Sequence, residues 1–346
     1  MGKKGGLILP ILTLLLVIPR LSGDEKPLLQ FLDSMGMELR WEPYRETARL
    51  SRGYRTASFK VGEPWLLLDF SRQVPCEPIS KREGVLLLPR STEETLRAFF
   101  FDGKKGAGPR VGAIFIDAGH GGKDPGTIGR HLTGGKELVL YEKDIVLETS
   151  LMLGEMLKNH FPGKQIAFSR TDDSYLTLEE RPELANRIRL AENEAIVFIS
   201  IHANASLNPA AKGFEVWYLP PDYRRSLISE KEVERESKEI LPILNTMLEE
   251  EFTIESVLLA KYILKGLEAE IGGVSDNRGL KDESWFVVRK AKMPSVLVEI
   301  GFVTHPGEAE LLADPRHLQK IAQAIYNGVV SFVRFFEETH ERGGSP

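Results

Sequence analysis

Two histidines each close a short apolar run, and that placement defines the chemistry open to this chain. Val111-Gly112-Ala113-Ile114-Phe115-Ile116-Asp117 leads into Ala118-Gly119-His120-Gly121-Gly122. Ala195-Ile196-Val197-Phe198-Ile199-Ser200-Ile201 leads into His202-Ala203-Asn204. Runs of this length read as strands buried on both faces. A His at the C-terminal mouth of each points into the crevice where open α/β sheets keep their sites. A third run, Ser295-Val296-Leu297-Val298, ends in Glu299. Two imidazoles and a carboxylate at one sheet edge read as a metal-assisted hydrolase.

Zinc accepts imidazole nitrogen and carboxylate oxygen, and a catalytic site keeps three protein ligands with one position open to water. His120 and His202 supply two nitrogens. Glu142 leads for the third ligand, because it opens the first helix after the glycine-rich loop Gly119 to Gly126. Asp117 and Asp124 remain alternatives, and Asp117 also reads as a residue that orients His120. Glu299 would serve as general base towards the attacking water, then as general acid towards the leaving amine. Each residue alone has a plainer reading. A single His at a strand end is commonly structural, Glu142 could be a helix-start acid favoured by the dipole, and Glu299 could pair with an Arg. Two strand-ending histidines together shift that balance. His131, His160, His305, His317 and His340 follow no matching pattern and read as non-ligands.

From Val111 onward strands alternate with helices, which implies an open mixed α/β sheet flanked by helices. Helices are expected over Glu142 to His160 and Leu178 to Glu192. Strands are expected over Gln165 to Ser169, Gly213 to Leu219, Ser284 to Arg289 and Ser295 to Glu299. A closing helix runs from Pro315 to Glu338, and 339–346 is a tail. This domain spans 111–338. Between the fourth strand and residue 284 lies an insertion, 229–271. Its start is nearly all charged, Ile240 to Phe252 is amphipathic with Glu249-Glu250-Glu251, and Thr253 restarts a helix to Ile271. Insertions of this length are usually functional or mobile rather than core.

The chain has 346 residues and a formal net charge of −5, room for two domains. Residues 1–23 read as a signal peptide: Lys3 and Lys4, an apolar run from Leu7 to Ile18, then Leu21-Ser22-Gly23 before Asp24. The run is shorter than a bilayer span of ~20 residues. Loss of Lys3, Lys4 and Arg20 leaves a still more acidic mature chain, with no global electrostatic reason to bind nucleic acid. Membrane contact is expected only during export. Residues 24–100 read as a small β-rich accessory domain. It has weak helical spacing over Phe31 to Leu39 and strands at Thr56 to Val61, Trp65 to Phe70 and Gly84 to Pro89. A capping box starts at Ser91. Residues 101–110 form a linker. Cys76 is the only cysteine, so no internal disulfide is possible. Glu77 beside it argues against an activated thiol.

Five ordered stretches together resemble the zinc-dependent N-acetylmuramoyl-L-alanine amidases of the amidase 3 family. They are Ile116 to Gly126, Glu142-Lys143-Asp144, Ser169 to Asp173, Ser200 to Ala205 and Met293 to Phe302, within a resemblance covering about Val111 to Phe335. The resemblance implies that His120, Glu142 and His202 are the zinc ligands and Glu299 the acid/base. It implies cleavage of the amide between the lactyl group of N-acetylmuramic acid and L-alanine of the stem peptide. Arg170, Arg181 and Asn204 match positions near the family's cleft; salt bridging and loop capping are their plainer roles. Ala118 stands where the family often has Pro, the loop from Thr127 to Tyr141 is long, and Glu137 within it is a competing acid. The insertion is similar to that of activator-gated cell-division amidases, which implies autoinhibition, an activator partner and a periplasmic location. In that reading Glu249, Glu250, Glu251 or Glu255 occupies the open zinc position at rest. The first domain weakly resembles modules attached to wall hydrolases and copper amine oxidases.

Two other readings compete: a non-catalytic wall-binding or division scaffold, and a zinc peptidase acting on the stem peptide. All four chemical residues being present argues against the scaffold. The bond cleaved separates the peptidase from the amidase.

Overall fold

The computed structural model describes residues 25–52, 55–68, 72–102, 110–191, 193–220, 222, 223, 225, 227, 228 and 241–342. The signal-peptide reading falls outside these residues, as do the charged stretch 229–240 and much of the linker. The chain divides into two compact units, one holding residues up to 104 except 53–55, the other holding the rest. Among the described residues, no helix is long and apolar enough to cross a membrane.

The first unit is β-rich. It comprises β1 (Glu25–Pro27), α1 (Leu28–Met35), β2 (Glu38–Glu42), β3 (Thr47–Arg52), β4 (Arg55–Lys60), β5 (Trp65–Leu68), β6 (Arg72–Pro75), β7 (Ser80–Arg82), β8 (Val85–Pro89) and α2 (Arg90–Arg97). Strands β2 to β6 form a five-stranded sheet in sequence order, and β1, β8 and β7 form a smaller one. Helix α1 starts and stops earlier than its spacing suggested, because Gly36 adopts a left-handed conformation (φ 61°) that ends it. The capping box is also not formed. Pro89 precedes α2, and the Ser91 hydroxyl instead donates to Glu77. Cys76 is half-buried, and burial pushes its thiol up, with Glu77 adding to the effect and a hydrogen bond with Thr92 opposing it.

The second unit continues with β9 (Arg110–Ala118), β10 (Ile128–Thr133), β11 (Lys136–Tyr141), α3 (Glu142–His160), β12 (Gln165–Phe168), α4 (Glu180–Asn186), β13 (Glu194–Asn204), β14 (Phe214–Tyr218), α5 (Leu241–Ile271), β15 (Asn277–Asp282), α6 (Phe286–Lys290), β16 (Ser295–Phe302), α7 (Pro306–Leu312) and α8 (Pro315–Arg342). Its six-stranded sheet has the order β12-β9-β13-β16-β14-β15. The first four strands are mutually parallel, and β14 runs antiparallel to β16. The sheet is therefore mixed and flanked by helices, as the alternation implied.

The strict alternation of a strand divides this sheet into two chemically different faces. Ile114, Ile116, Ile199, Ile201, Val296 and Val298 pack with Leu153 of α3, Ile263 of α5 and Ile325 of α8. Phe115, Phe198 and Leu297 point the other way, towards Ala185 of α4 and Val287 and Val288 of α6. Phe115 and Phe198 stack with ring centroids 5.5 Å apart. Each such side chain contributes about 1.5–3 kcal/mol by leaving water. Asp117, Ser200, His202, Glu215 and Glu299 follow the second register. The face under the short helices thus carries the polar groups.

Several elements differ from the sequence reading. Helix α4 covers only Glu180–Asn186 of the expected Leu178 to Glu192, and β15 and α7 were not expected. Ser284 to Arg289 is not a strand: Trp285 precedes the short helix α6, which buries Val287 and Val288. Packing against the sheet overrides the β-propensity of this aromatic and β-branched run. The loop from Thr127 to Tyr141 is the hairpin β10–β11. Gly134 and Gly135 both have positive φ at its turn, the requirement of a tight hairpin. Finally, the two helical segments of the insertion form the single helix α5.

Candidate metal centre

The four parallel strands bring their C-terminal ends to one edge, and the site is built there. His120 follows β9 in a left-handed backbone conformation (φ 58°), an uncommon state that surrounding structure must enforce. Two buried arginines do so. Arg170 donates to the carbonyls of Ala118 at 3.0 Å and Gly119 at 2.7 Å. Arg181 donates to the carbonyls of Ala118 and His120 and to Asp117 Oδ1 at 2.9 Å. Asp117 also accepts from the Ser200 hydroxyl at 2.7 Å. Burial works to raise its carboxyl, but Arg181 and Ser200 outweigh that and hold it below the ordinary range. Asp117 therefore serves the loop, and Arg170 and Arg181 take the plainer role, as braces of the His120 turn.

Glu142 sits at the first position of α3, delivered by the hairpin that the sequence reading treated as a loop. Its Oε2 accepts from the Thr127 amide at 2.8 Å, and its Oε1 accepts from the Ala203 amide at 3.1 Å. Oε1 also lies 3.0 Å from His120 Nε2 and 3.0 Å from His202 Nδ1. Burial opposes the charge, but hydrogen bonds and attraction from both imidazoles hold the carboxyl far below the ordinary range. One donor atom from each of His120, Glu142 and His202 falls within 4.8 Å of the others. Two imidazole nitrogens and an ionised carboxylate, converging in a partly buried pocket, fit zinc. Asp124 Oδ2 lies 2.9 Å from His120 Nδ1, so it orients the ring and leaves Nε2 to face the cluster. It is not a member of the cluster. Glu137 lies on β11, paired with Arg130 at 3.3 Å, and is likewise outside it.

Close approach is built into the loop. A Cβ at Gly119 would overlap the His202 imidazole, and one at Gly126 (φ 63°) would meet Glu142 Oε2 and the His120 ring at 2.7 Å. The rings of His120 and His202 meet edge to face, centroids 5.0 Å apart.

Glu299 is the Cα partner of His202 across the β13–β16 pairing and of Glu215 across β14–β16. It is 8 % exposed, and its Oε2 has no hydrogen-bond partner. Burial pushes its carboxyl well up, and the charges of Glu142 and Glu215 push it further. Glu215 was missed by sequence reasoning. It is buried beside Glu299, accepts from Asn204 Nδ2 at 2.7 Å and from Arg278 Nε at 2.8 Å, and thereby explains Asn204. Its alternation with Phe214 and Val216 on β14 was the available signal.

Above these groups lies an open cleft of about 570 Å³, lined by His120, Glu142, His202, Glu299, Leu178, Trp285, Phe286, Val287 and Leu297 among others. None of Glu249, Glu250, Glu251 and Glu255 lines it, so the expectation of a helix acid at the metal position is not met. The reason is topological. The second half of α5, from Leu259 to Ile271, packs on the opposite face of the sheet, and the Ser256 hydroxyl accepts from the Ser295 amide at the start of β16, the end of that strand away from Glu299. Glu249 lies further towards the N-terminus of α5 and is held by Arg225, at 2.8 Å.

Residues 114–331 match the family described as N-acetylmuramoyl-L-alanine amidase. The chain is 31 % identical over 248 residues to N-acetylmuramoyl-L-alanine amidase AmiA of Escherichia coli K12, covering 68 % of this chain and 80 % of that protein. It is 30 % identical over 238 residues to AmiA of Salmonella typhimurium LT2, covering 65 % of this chain and 77 % of the relative. Among solved structures, N-acetylmuramoyl-L-alanine amidase AmiC2 of Nostoc punctiforme aligns with a TM-score of 0.48 and 29 % identity, over 66 % of this chain and 99 % of that one.

Proposed function

The chain belongs to the N-acetylmuramoyl-L-alanine amidase family, and from that premise we propose that it is a zinc-dependent, exported peptidoglycan amidase. The bond cleaved is the amide between the lactyl group of N-acetylmuramic acid and L-alanine of the stem peptide. The observation that carries this reading is the juxtaposition of a buried Glu299 with the His120, Glu142 and His202 cluster at one strand edge.

His120, Glu142 and His202 would hold the metal. Zinc bound there supplies Lewis-acid polarisation of the amide carbonyl and a lowered pKa for water. The chain's own residues do the rest. Glu299 takes the proton from the attacking water at its unpartnered Oε2 and passes it to the leaving nitrogen. A carboxyl raised by burial is a stronger base than a free one and, once protonated, holds a proton to hand on. Glu142 stays ionised, so the two acids divide the work between metal holding and proton transfer. Leu178, Trp285 and Leu297 give the open cleft an apolar wall.

Export to the periplasm is supported by the leader pattern of residues 1–23 and by wall-directed relatives. Control by an activator protein is the finer part of this reading. Direct acid blockade does not support it; a mechanical link does. Arg225 joins Glu249 of α5 to the carbonyl of Ala291 at 2.6 Å, just beyond the cleft residues of α6. An activator acting on α5 would move that wall.

Mass spectrometry of fragments released from purified sacculi tests the reaction. Stem peptides with a free L-alanine amino group, and glycans with a free lactyl carboxyl, are expected. Cuts within the stem peptide would replace the amidase reading with a peptidase.

A further inference from the structure

A second pocket, of about 400 Å³, opens between α4 and α6. Phe286 lines both this pocket and the metal cleft. The Arg289 guanidinium stands 5.1 Å from the Phe286 ring centroid and Lys290 Nζ 5.9 Å from it. Arg289 Nε is buried with no hydrogen-bond partner, and among the described residues no acid is paired with it. A buried donor left unmade costs free energy that a ligand acceptor would recover. The other charges at the pocket are already matched or open to water. Arg225 is bound to Glu249, Glu183 to Arg187 at 3.0 Å, and Glu179 is exposed. The walls are fixed in advance: Asn186 donates to the Lys290 carbonyl at 3.1 Å and accepts from the Lys292 amide at 2.8 Å.

We propose that this pocket is a subsite for a carboxylate of the stem peptide, bound by Arg289 with Lys290 beside it. The inference rests on the amidase reading for the identity of the peptide. A guanidinium presents paired donors that match a carboxylate, and its stacking on Phe286 holds the plane ready. Reach favours the peptide side of the scissile bond. Trp285 and Val287 line the cleft, and Arg289 follows two residues after Val287 on the same short helix. A helix advances ~1.5 Å per residue and an extended peptide ~3.3–3.6 Å. The residue following the stem alanine, which carries the first free carboxylate, therefore spans from the cleft to the pocket.

The test is isothermal titration of the full chain with two ligands, without turnover: L-alanyl-D-glutamate capped as its γ-methylamide, and the α-carboxamide of the same capped peptide, which differ only in the α-carboxylate. The wild type is expected to prefer the acid by about tenfold or more, the yield of a hydrogen bond to a charged group. Arg289→Gln should abolish the preference and Arg289→Lys should keep part of it. Equal affinity of the wild type for acid and amide overturns the proposal without recourse to any variant. So does a preference that survives in Arg289→Gln. Inorganic phosphate displacing the acid peptide at equal concentration would mark a general anion site and also overturn it. Sacculus digestion separates this inference from its premise: cleavage without the preference removes the subsite alone, and the preference without cleavage removes the amidase reading alone.

Discussion

Glu299 and His202 are Cα partners in neighbouring parallel strands, with side chains on one face of the sheet. That register places a buried carboxyl, pushed up by burial and neighbouring charge, beside a metal-facing imidazole. Replacing Glu299 by Gln keeps the shape and removes the proton transfer. The kcat on purified muropeptides should fall by about 10²–10⁴-fold, the usual share of general acid–base catalysis. Zinc content, measured by elemental analysis, should stay unchanged, because Glu299 is outside the ligand cluster.

The same residue sets a stability trend. Its folded-state carboxyl lies well above the ordinary value, through burial and the charges of Glu142 and Glu215. Between the ordinary and the raised value the folded state binds more protons than the unfolded state. Stability therefore falls as pH rises through that window. Thermal melts of the zinc-free protein should show this fall, and Glu299→Gln should flatten it. Parallel profiles would mean that Glu299 is ionised.

Asp124 faces the nitrogen of His120 turned away from the cluster. Asp124→Ala should weaken zinc binding by about 10–100-fold, the usual cost of losing such an orienting partner. Competition with a chromophoric chelator would measure it. The circular dichroism spectrum should be retained.

Zinc should also stabilise the fold by mass action. At free zinc near 1,000 times its Kd the gain is about 4 kcal/mol, read as a rise in Tm. His202→Ala should abolish most of that rise. An equal rise in the variant would place the ion elsewhere.

Arg225 is held at Glu249 in the interior and caps the carbonyl of Ala291. Arg225→Ala strands a buried carboxylate and should cost about 3–5 kcal/mol in urea unfolding. Removing both charges, as Arg225→Met with Glu249→Leu, should recover most of that loss. If the single variant unfolds like the wild type, the pair does not fasten α5 to the α6 segment.

The sequence by itself determined the strands that end in His120, His202 and Glu299, because short apolar runs and the residue after them are local facts. It also placed Glu142 at the start of α3, since a helix start is written in its own neighbourhood. Tertiary structure decided the rest. Whether Ser284 to Arg289 becomes strand or helix depends on the sheet face it packs against, not on its own propensity. Thr127 to Tyr141 read as a long loop, although Gly134-Gly135 suits a tight turn; that it is a hairpin delivering Glu142 opposite Thr127 and Ala203 needed the fold. Asp117, Asp124, Arg170 and Arg181 look alike as polar residues near a glycine loop. The sequence left Asp117 and Asp124 between ligand and supporting roles and Arg170 and Arg181 between substrate contact and bracing; geometry made the choice and showed that Asp124 is the residue that orients the His120 ring. Glu215 joined Glu299 through a strand pairing more than eighty residues long in the chain, which no local pattern reports. The acids of α5 had the right chemistry for a metal, but they do not line the cleft, and Glu249 is spent on Arg225. Residue type fixes what a group can do; the side of the sheet it occupies fixes what it meets.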